Sequence, residues 1–292
     1  MTVGGVLSPA FGILFDGLAF GMVLYLISVG LSVTMGMMGF VNLAHGAFAM
    51  AGGYVVTGLM LRWNVPFPAA LVAAAVAVGL ASLPFERLLY RRLYGGSELD
   101  QVLLTMGLVF MATAAAHYLF GPNQQPLRLP AALLGGIDLG FGKVPIYRVL
   151  LIGCGAVLVT ALWLGIGRSR FGAMIRAAVD NLRMAQSIGI DTGRLFSATF
   201  ALGCGLAALG GGLGSDLLTV DPNYALDNLV YFLIVVAIGG LGSISGPFFA
   251  AMLIGVADTA CKYLVPQFGA FFIYAVAMAI LLWRPRGLLG RA

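Results

Sequence analysis

The chain has 292 residues, of which 61% are hydrophobic and only 9% are charged, and its mean hydropathy is +1.01. A typical soluble domain has about 25% charged residues, so the composition excludes a water-soluble globular protein and predicts an integral membrane protein. The net charge of +5 comes from bases in segments between apolar runs, where they act as topology signals. Nucleic acid is therefore not an expected partner.

The first half of the chain predicts four membrane spans. A helix needs about 20 apolar residues to cross a hydrocarbon layer of about 30 Å. Residues 17–61 contain no Asp, Glu, Lys or Arg, which predicts two spans divided by the Gly-rich segment around Gly36 and Gly39. Further spans are predicted at 63–85 and 101–120, and in the second half at 149–166, 195–215 and 263–283. A loop rich in Pro and Gly, residues 121–147, is predicted to fold against the membrane face.

Charge distribution predicts the orientation. Arginines concentrate at 87–92, 167–194 and 284–291, and the positive-inside rule places such segments in the cytoplasm. The loop 216–227 has three acids and no base, so we expect it outside. A cytoplasmic tail then requires the uncharged run 229–257 to cross twice or to re-enter, with a break at the Gly-rich residues 239–247. Counting the crossings needed between these segments predicts about nine, with eight and ten as alternatives. It also predicts an outside N-terminus and a cytoplasmic C-terminus.

The two Gly-rich interruptions lie in opposite halves of the chain. Corresponding interrupted spans are typical of transporters built from inverted repeats, whose broken helices meet near the midplane. We predict a single transmembrane permease domain over residues 1–292, an all-α polytopic helical bundle of about eight to ten transmembrane helices. Broken helices and inverted-repeat halves at 1–147 and 148–292 are part of this prediction. The alternative is a chance similarity within a chain rich in Gly and Ala.

The interruptions are also the predicted substrate path. Unwound backbone at membrane depth is tolerated where it is buried in protein or lines a wet cavity. The candidate residues are Gly36, Gly39, Asn42, His45, Gly242 and Ser243. In the alternative interpretation Asn42 caps a half-helix and His45 bonds a neighbouring carbonyl group. The glycines permit sharp turns and close packing under either interpretation.

No catalytic, nucleotide-binding or metal-binding motif is recognisable. The chain has two histidines and three cysteines without CxxC spacing, so we expect no enzymatic activity, no metal and no cofactor bound to this chain. An ion-driven transporter would need charged residues at the midplane. The candidates found within spans, Asp16, Asp216 and Asp258, all lie near predicted outer ends. The energy for transport is therefore expected to come from elsewhere.

The segment 167–194 is the longest well-charged stretch between apolar runs. Read as one helix, it places Ile175, Ala178, Val179, Leu182 and Ala185 on an apolar face, opposite Arg176, Asp180 and Arg183; their spacing would let the acid pair with both bases. Gly189 is predicted to end the helix in a left-handed conformation, and Asp191 or Thr192 to begin the next one. We interpret the segment as a docking helix for a cytoplasmic partner. A lipid-lying helix and a solvated connector are the alternatives.

Three stretches resemble a known family, the LivH-type permease subunits of ATP-binding-cassette importers for branched-chain amino acids. GLSVTMGMMGFVNLAHGAFAMAGGY at 30–54 is similar to the family's N-terminal signature. GAMIRAAVDNLRMAQSIGID at 172–191 is similar to its cytoplasmic coupling loop, although Leu182 stands where a Pro is usual. GGLGSISGPFFAAMLIG at 239–255 is similar to its C-terminal block. With the span pattern, the resemblance covers nearly the whole chain.

The resemblance implies a function and partners. The chain would form half of a translocation path for branched-chain amino acids in the bacterial inner membrane, paired with a homologous second permease, preferentially as a heterodimer. Two cytoplasmic ATPase subunits would bind ATP and drive it, and an extracytoplasmic solute-binding protein would deliver substrate. The coupling role would belong to residues 177–189 and their neighbours: Arg176, Asp180, Asn181, Leu182, Arg183, Ala185 and Gly189. The alternatives are a secondary transporter and a related permease for urea or short amides.

Overall fold

A computed structural model describes residues 4–127, 129–138, 143–284 and 287–289, with backbone alone at 4–9 and 270. The helices are α1 (Gly4–Met38), α2 (His45–Trp63), α3 (Phe67–Leu88), α4 (Glu98–Phe120), α5 (Ile146–Arg168), α6 (Arg170–Asp180), α7 (Leu182–Ser187), α8 (Thr192–Leu213), α9 (Tyr224–Asp227), α10 (Leu229–Gly239), α11 (Ser245–Leu264) and α12 (Gly269–Trp283). Four short 3₁₀ turns and a hairpin of β1 (Gly136–Asp138) and β2 (Lys143–Pro145) complete the described elements.

Six of the described helices are long and apolar enough to cross a membrane: α1, α3, α4, α5, α8 and α11. The apolar stretch of α9 and α10 and the helix α12 are shorter, and α2 has 19 residues. The all-α polytopic bundle predicted from hydropathy is therefore confirmed, and the predicted number of crossings stays a prediction. The loop after α4 contains the β1–β2 hairpin, which hydropathy did not indicate.

Local sequence sets the ends of the helices. Ser97 and Asp100 form a capping box at the start of α4: the Ser97 hydroxyl accepts from the Asp100 amide and the Asp100 carboxylate accepts from the Ser97 amide, each at 3.2 Å. Such a box satisfies two amides that have no partner within the helix. Pro66 immediately precedes α3, where a fixed φ is favourable. The predicted third span therefore begins at Phe67 rather than at Trp63, which ends α2.

Small residues bring α1 against two antiparallel neighbours. A Cβ atom on Gly30 would lie 2.6 Å from the Gly203 Cα atom of α8, and one on Gly17 would lie 2.7 Å from the Val256 Cα atom of α11. At the opposite end of α11, Gly242 approaches Gly36. Close backbone contact of this kind is how membrane helices gain packing energy without a hydrophobic driving force. Helix α1 is thus the central element on which α8 and α11 pack.

Both predicted interruptions are present. Helix α1 ends at Met38 and α2 begins at His45, with Gly39 at φ +59° between them; we call residues 39–44 the first interruption. Helix α10 ends at Gly239 and α11 begins at Ser245, so the run 229–257 is not one helix; residues 240–244 are the second interruption. Gly240 and Gly242 there have φ of +92° and +75°, a region that favours glycine.

The segment between α5 and α8 corrects one prediction. It is not a single helix: α6 and α7 are divided at Asn181, whose backbone is extended at φ −157° and ψ 100°. The Asn181 carboxamide oxygen accepts from the Met184 amide at 3.0 Å and so caps α7, because an Asn side chain competes with the helical backbone for its amides. The two other predictions for this segment are confirmed. Gly189 has φ +88°, and Asp191 caps α8 through the Arg194 amide at 3.0 Å.

Candidate functional site

The first interruption is partly buried and is held by side chains. Asn42 and His45 are 2% and 1% exposed. The Asn42 carboxamide oxygen accepts from the Ala44 amide at 3.1 Å and from the Tyr90 hydroxyl at 3.0 Å. The His45 Nε2 atom lies 3.0 Å from the Ile27 carbonyl oxygen of α1. These are the bonds expected of the structural interpretation, in which Asn42 orders the turn before α2 and His45 bonds a carbonyl group.

The His45 bond also fixes the level along α1 at which α2 begins. Ile27 lies 11 residues after Asp16 and 11 before Met38 on α1, which is about 16 Å from either at 1.5 Å per residue. Gly46 faces Ala225 of α9, where a Cβ atom would lie 3.2 Å from the Ala225 carbonyl oxygen. The start of α2 and the chain leading into α10 therefore meet beside α1 at a level halfway between Asp16 and Met38.

The second interruption is bonded to α1 through Ser32. The Ser32 hydroxyl is within 3.2 Å of the Gly240 carbonyl oxygen and 3.1 Å of the Ser243 carbonyl oxygen, and the Gly242 amide donates to the Ser32 carbonyl group at 3.0 Å. A Cβ atom on Gly36, one turn further along α1, would lie 2.2 Å from the Gly242 Cα atom. Only glycine fits there. The two glycines thus hold α1 directly on the interrupted backbone.

A cavity of about 1140 Å³ opens beside the second interruption. Its walls come from α1, α5, α6, α10, α12 and the interruption itself. Gly242 and Ser243 line it, together with Arg176, Asp180 and the apolar side chains of Trp163, Val236 and Leu281. Residues predicted from two separate motifs, the substrate path and the coupling segment, therefore share one cavity. Of the other path candidates, Gly36 packs against this wall, whereas Gly39, Asn42 and His45 belong to the first interruption.

The coupling candidates divide into an inward and an outward group. Ile175, Ala178 and Ala185 are 1–3% exposed and pack on Val33, Met37, Leu195 and Phe196 of the same chain. For these three of the five residues on the predicted docking face the prediction is therefore wrong, because α1 and α8 already cover them; Leu182, also on that face, is exposed. The outward surface of α7 and of the residue that follows it carries Leu182, Arg183, Met184 and Ile188 instead, with Asp180, Asn181 and Gly189 exposed beside it.

The predicted pairing of Asp180 with Arg176 and Arg183 stays a prediction, but the geometry that it assumed needs correction. It assumed one helix, and Arg183 lies beyond the break at Asn181. An Arg176 Nη1 atom donates to the Ile166 carbonyl group near the end of α5. Arg176 therefore ties α6 to α5 across their junction, next to the cavity.

Three charged side chains within or beside spans were not among the residues predicted from the sequence: Arg148, Lys262 and Glu86. Arg148 joins two predicted outer acids, with N–O distances of 3.0 Å to Asp16 and 3.2 Å to Asp216. Lys262 lies 2.6 Å from the Asp258 carboxylate, which is 2% exposed. Glu86, 1% exposed, accepts from Tyr94 and Ser197 hydroxyls. Glu86 was absent from the predicted candidates because it adjoins Arg87 in a segment that reads as a solvated basic cluster.

Comparison with known proteins agrees with this architecture. A family model described as the permease component of branched-chain amino acid transport systems matches residues 13–281. The chain is 29% identical over 294 residues to the high-affinity branched-chain amino acid transport system permease protein BraD of Pseudomonas aeruginosa, covering 95% of each chain. It is 26% identical over 295 residues to LivH of Escherichia coli K12, a permease protein of the same description, covering 95% of this chain and 94% of LivH.

A more distant relative is named for another substrate. The fructose import permease protein FrcC of Rhizobium meliloti is 25% identical over 230 residues, which is 74% of this chain and 61% of FrcC. No solved structure matches the chain. The matched relatives are transport permeases rather than enzymes. Because the family model covers residues 13–281 of the 292, the chain belongs to the family of branched-chain amino acid transport system permease components.

Proposed function

We propose that the chain is the permease subunit of an ATP-driven importer that moves branched-chain amino acids across the bacterial inner membrane. Family membership and the full-length similarity to BraD and LivH support this substrate class. FrcC, which is named for fructose import, matches over a smaller share of the chain. Urea, short amides and sugars are therefore the competing substrates that a transport assay has to include.

The observation that carries the proposal is the cavity shared by the second interruption and α6. A hydrophobic amino acid needs an apolar wall for its side chain and polar groups for its ammonium and carboxylate. The cavity offers apolar Trp163, Val236 and Leu281 beside Arg176 and Asp180. Its volume of about 1140 Å³ exceeds the roughly 300–1000 Å³ of ordinary ligand pockets. We take it as the vestibule on the cytoplasmic side, in which substrate is loosely held before release.

Coupling to ATP hydrolysis is assigned to α7. This chain binds no ATP in the proposal; two cytoplasmic ATPase subunits do. The exposed surface with Leu182, Arg183, Met184 and Ile188 presents apolar and basic groups to a groove on an ATPase, as helix-in-groove recognition requires. The preceding helix α6 lines the cavity, so a movement of α7 would be transmitted to the wall of the vestibule through this one helix.

The two ends of the bundle support the proposed orientation. The acids Asp16 and Asp216 meet at Arg148 at one end. At the other end Arg91 lies against Gly193, and Val179 of α6 lies against Gly242. Arginine-rich segments far apart in sequence are thus gathered on one side, which the positive-inside rule assigns to the cytoplasm. The N-terminus would then be outside and the C-terminus inside, with the solute-binding protein docking at the acidic end.

The proposal is tested by uptake in proteoliposomes that contain this permease, a homologous second permease, two ATPase subunits and the solute-binding protein. We expect ATP-dependent uptake of labelled leucine, competed by isoleucine and valine and not by urea or fructose. Uptake without ATP or without the ATPases would indicate a secondary transporter instead. ATP-dependent uptake of urea or fructose without uptake of leucine would show that the proposed substrate class is wrong.

Two variants test the role of α7 in the same system. Leu182→Asp places a charge on the exposed surface, and Gly189→Val places a β-branched residue at φ +88°, a conformation that costs a non-glycine residue about 1–2 kcal/mol. Each should release the ATPases or raise ATP hydrolysis without uptake. Asn123→Asp, exposed in the loop after α4, adds the same charge away from α7 and should behave as the parent. Parental uptake in both test variants would show that α7 is only a connector.

A further inference from the structure

Glu86 is a buried carboxylate whose bonds reach two parts of the chain. It lies in the last turn of α3, and its side chain is 1% exposed. The Tyr94 hydroxyl donates to Oε1 at 2.7 Å, and the Ser197 hydroxyl of α8 donates to Oε2 at 2.6 Å. Within the described part of the chain no Lys, Arg or His pairs with it. Among the described residues two hydroxyl groups donate to this buried carboxylate, and burial makes both bonds costly to break.

One side of this arrangement is the start of α8. Ser197 lies six residues after Asp191, the cap that follows the coupling segment 177–189. Tyr94 packs edge-on against Phe196, with ring centroids 5.6 Å apart. Burial, followed by the bond to Glu86, raises the pKa of the Tyr94 hydroxyl, so this group stays protonated and continues to donate. The connector after α3 is thereby attached to the first turns of α8.

The other side is the first interruption. The Tyr90 hydroxyl, four residues before Tyr94, donates to the Asn42 carboxamide oxygen at 3.0 Å. The Val41 amide donates to the Gln101 Oε1 atom at 3.0 Å, and the Gln101 Nε2 atom donates to the Leu93 carbonyl group at 3.2 Å. Tyr90 and Gln101 are 1% and 3% exposed. The connector between α3 and α4 is therefore bonded to the first interruption as well as to α8 through Glu86.

We infer that Glu86 is a positioning residue that couples movement of α8, and so of the coupling segment, to the first interruption of the permease. This inference rests on the proposed function, because it concerns transport driven by a partner at α7. A hydrogen-bonded buried network has a small number of discrete arrangements, and a rigid helix end can shift it as a unit. The first interruption has no direct bond to the coupling segment among the described residues. The Glu86 network supplies that connection.

The test measures ATP hydrolysed per leucine transported in the reconstituted complex. Glu86→Gln, Ser197→Ala and Tyr94→Phe should each raise this ratio about two- to ten-fold, with the ATPases still bound. The double variant Glu86→Gln with Ser197→Ala should be no worse than the more affected single variant, because both changes interrupt one connection. Thr57→Val is the matched control: it removes a buried hydroxyl whose bond stays within α2.

Three outcomes decide the matter. A raised ratio in the test variants and a parental ratio in Thr57→Val supports the inference. A parental ratio in Tyr94→Phe, which keeps the ring and so its packing, overturns it even if the Glu86 and Ser197 variants misfold. An equally raised ratio in Thr57→Val also overturns it, since loss of any buried bond would then uncouple transport. A parental complex that transports no leucine refutes the proposed function instead, before any variant is compared.

Discussion

Replacement of Gly36 by alanine tests the contact between α1 and the second interruption. A Cβ atom at this position would lie 2.2 Å from the Gly242 Cα atom and 2.3 Å from the Gly242 amide nitrogen, whereas ordinary contact begins near 3.4 Å. The interruption would have to move by 3.4 − 2.2 = 1.2 Å. Because both obstructing atoms are backbone, no side-chain rotation relieves the clash.

The energetic cost has two parts. Overpacking costs about 1–3 kcal/mol, and a shift of this size stretches the Ser32 bonds of 3.0, 3.1 and 3.2 Å, each worth about 1 kcal/mol. We expect a total of about 2–4 kcal/mol and an apparent melting temperature lowered by about 5–10 °C. Leucine uptake should fall too, because the displaced residues line the cavity.

Gly12→Ala is the control, since it lies in the same helix with no atom within 4 Å of its added Cβ. An alanine in an open helical position is neutral or stabilising by up to about 1 kcal/mol. Thermal unfolding of the purified proteins in detergent, followed by intrinsic fluorescence, measures both variants. Equal melting temperatures for Gly36→Ala and Gly12→Ala would show that α1 does not contact the interruption as described.

Three further predictions concern the same framework. Ser32→Ala should cost about 1–3 kcal/mol in thermal unfolding, because the Gly240 and Ser243 carbonyl groups lose their buried donor; an unchanged melting temperature would contradict this. Arg148→Met should lower the melting temperature by a few degrees in low salt and less in high salt, since its partly exposed ion pairs are each worth about 1 kcal/mol or less, and a salt-independent loss would argue against them. In a background without the three native cysteines, Asn223→Cys should react with an impermeant thiol reagent from outside and Gln186→Cys only from inside; the opposite pattern would invert the proposed topology.

The sequence was sufficient for features that depend on composition or on one residue's conformation. A run of about 20 apolar residues predicts a span wherever it occurs, because apolar side chains are stable in lipid whichever helix lies beside them. The break at 240–244 followed from an uncharged run too long for one crossing, and glycines mark its left-handed positions. Gly189 and Asp191 were likewise identifiable as helix end and cap. Family membership followed from the same stretches.

Tertiary structure decided which partner each face meets. The face with Ile175, Ala178 and Ala185 is amphipathic in sequence whether a partner, lipid or the same chain covers it, and only the placement of α1 and α8 shows that the chain covers these three residues itself. Glu86 reads as one more charge beside Arg87 until α8 supplies Ser197. Gly242 and Arg176 come from unrelated motifs and line one cavity only because α6 folds back on the second interruption. These are contacts between residues distant in sequence, and the hydrophobic pattern of either segment alone carries no information about which other segment will lie against it.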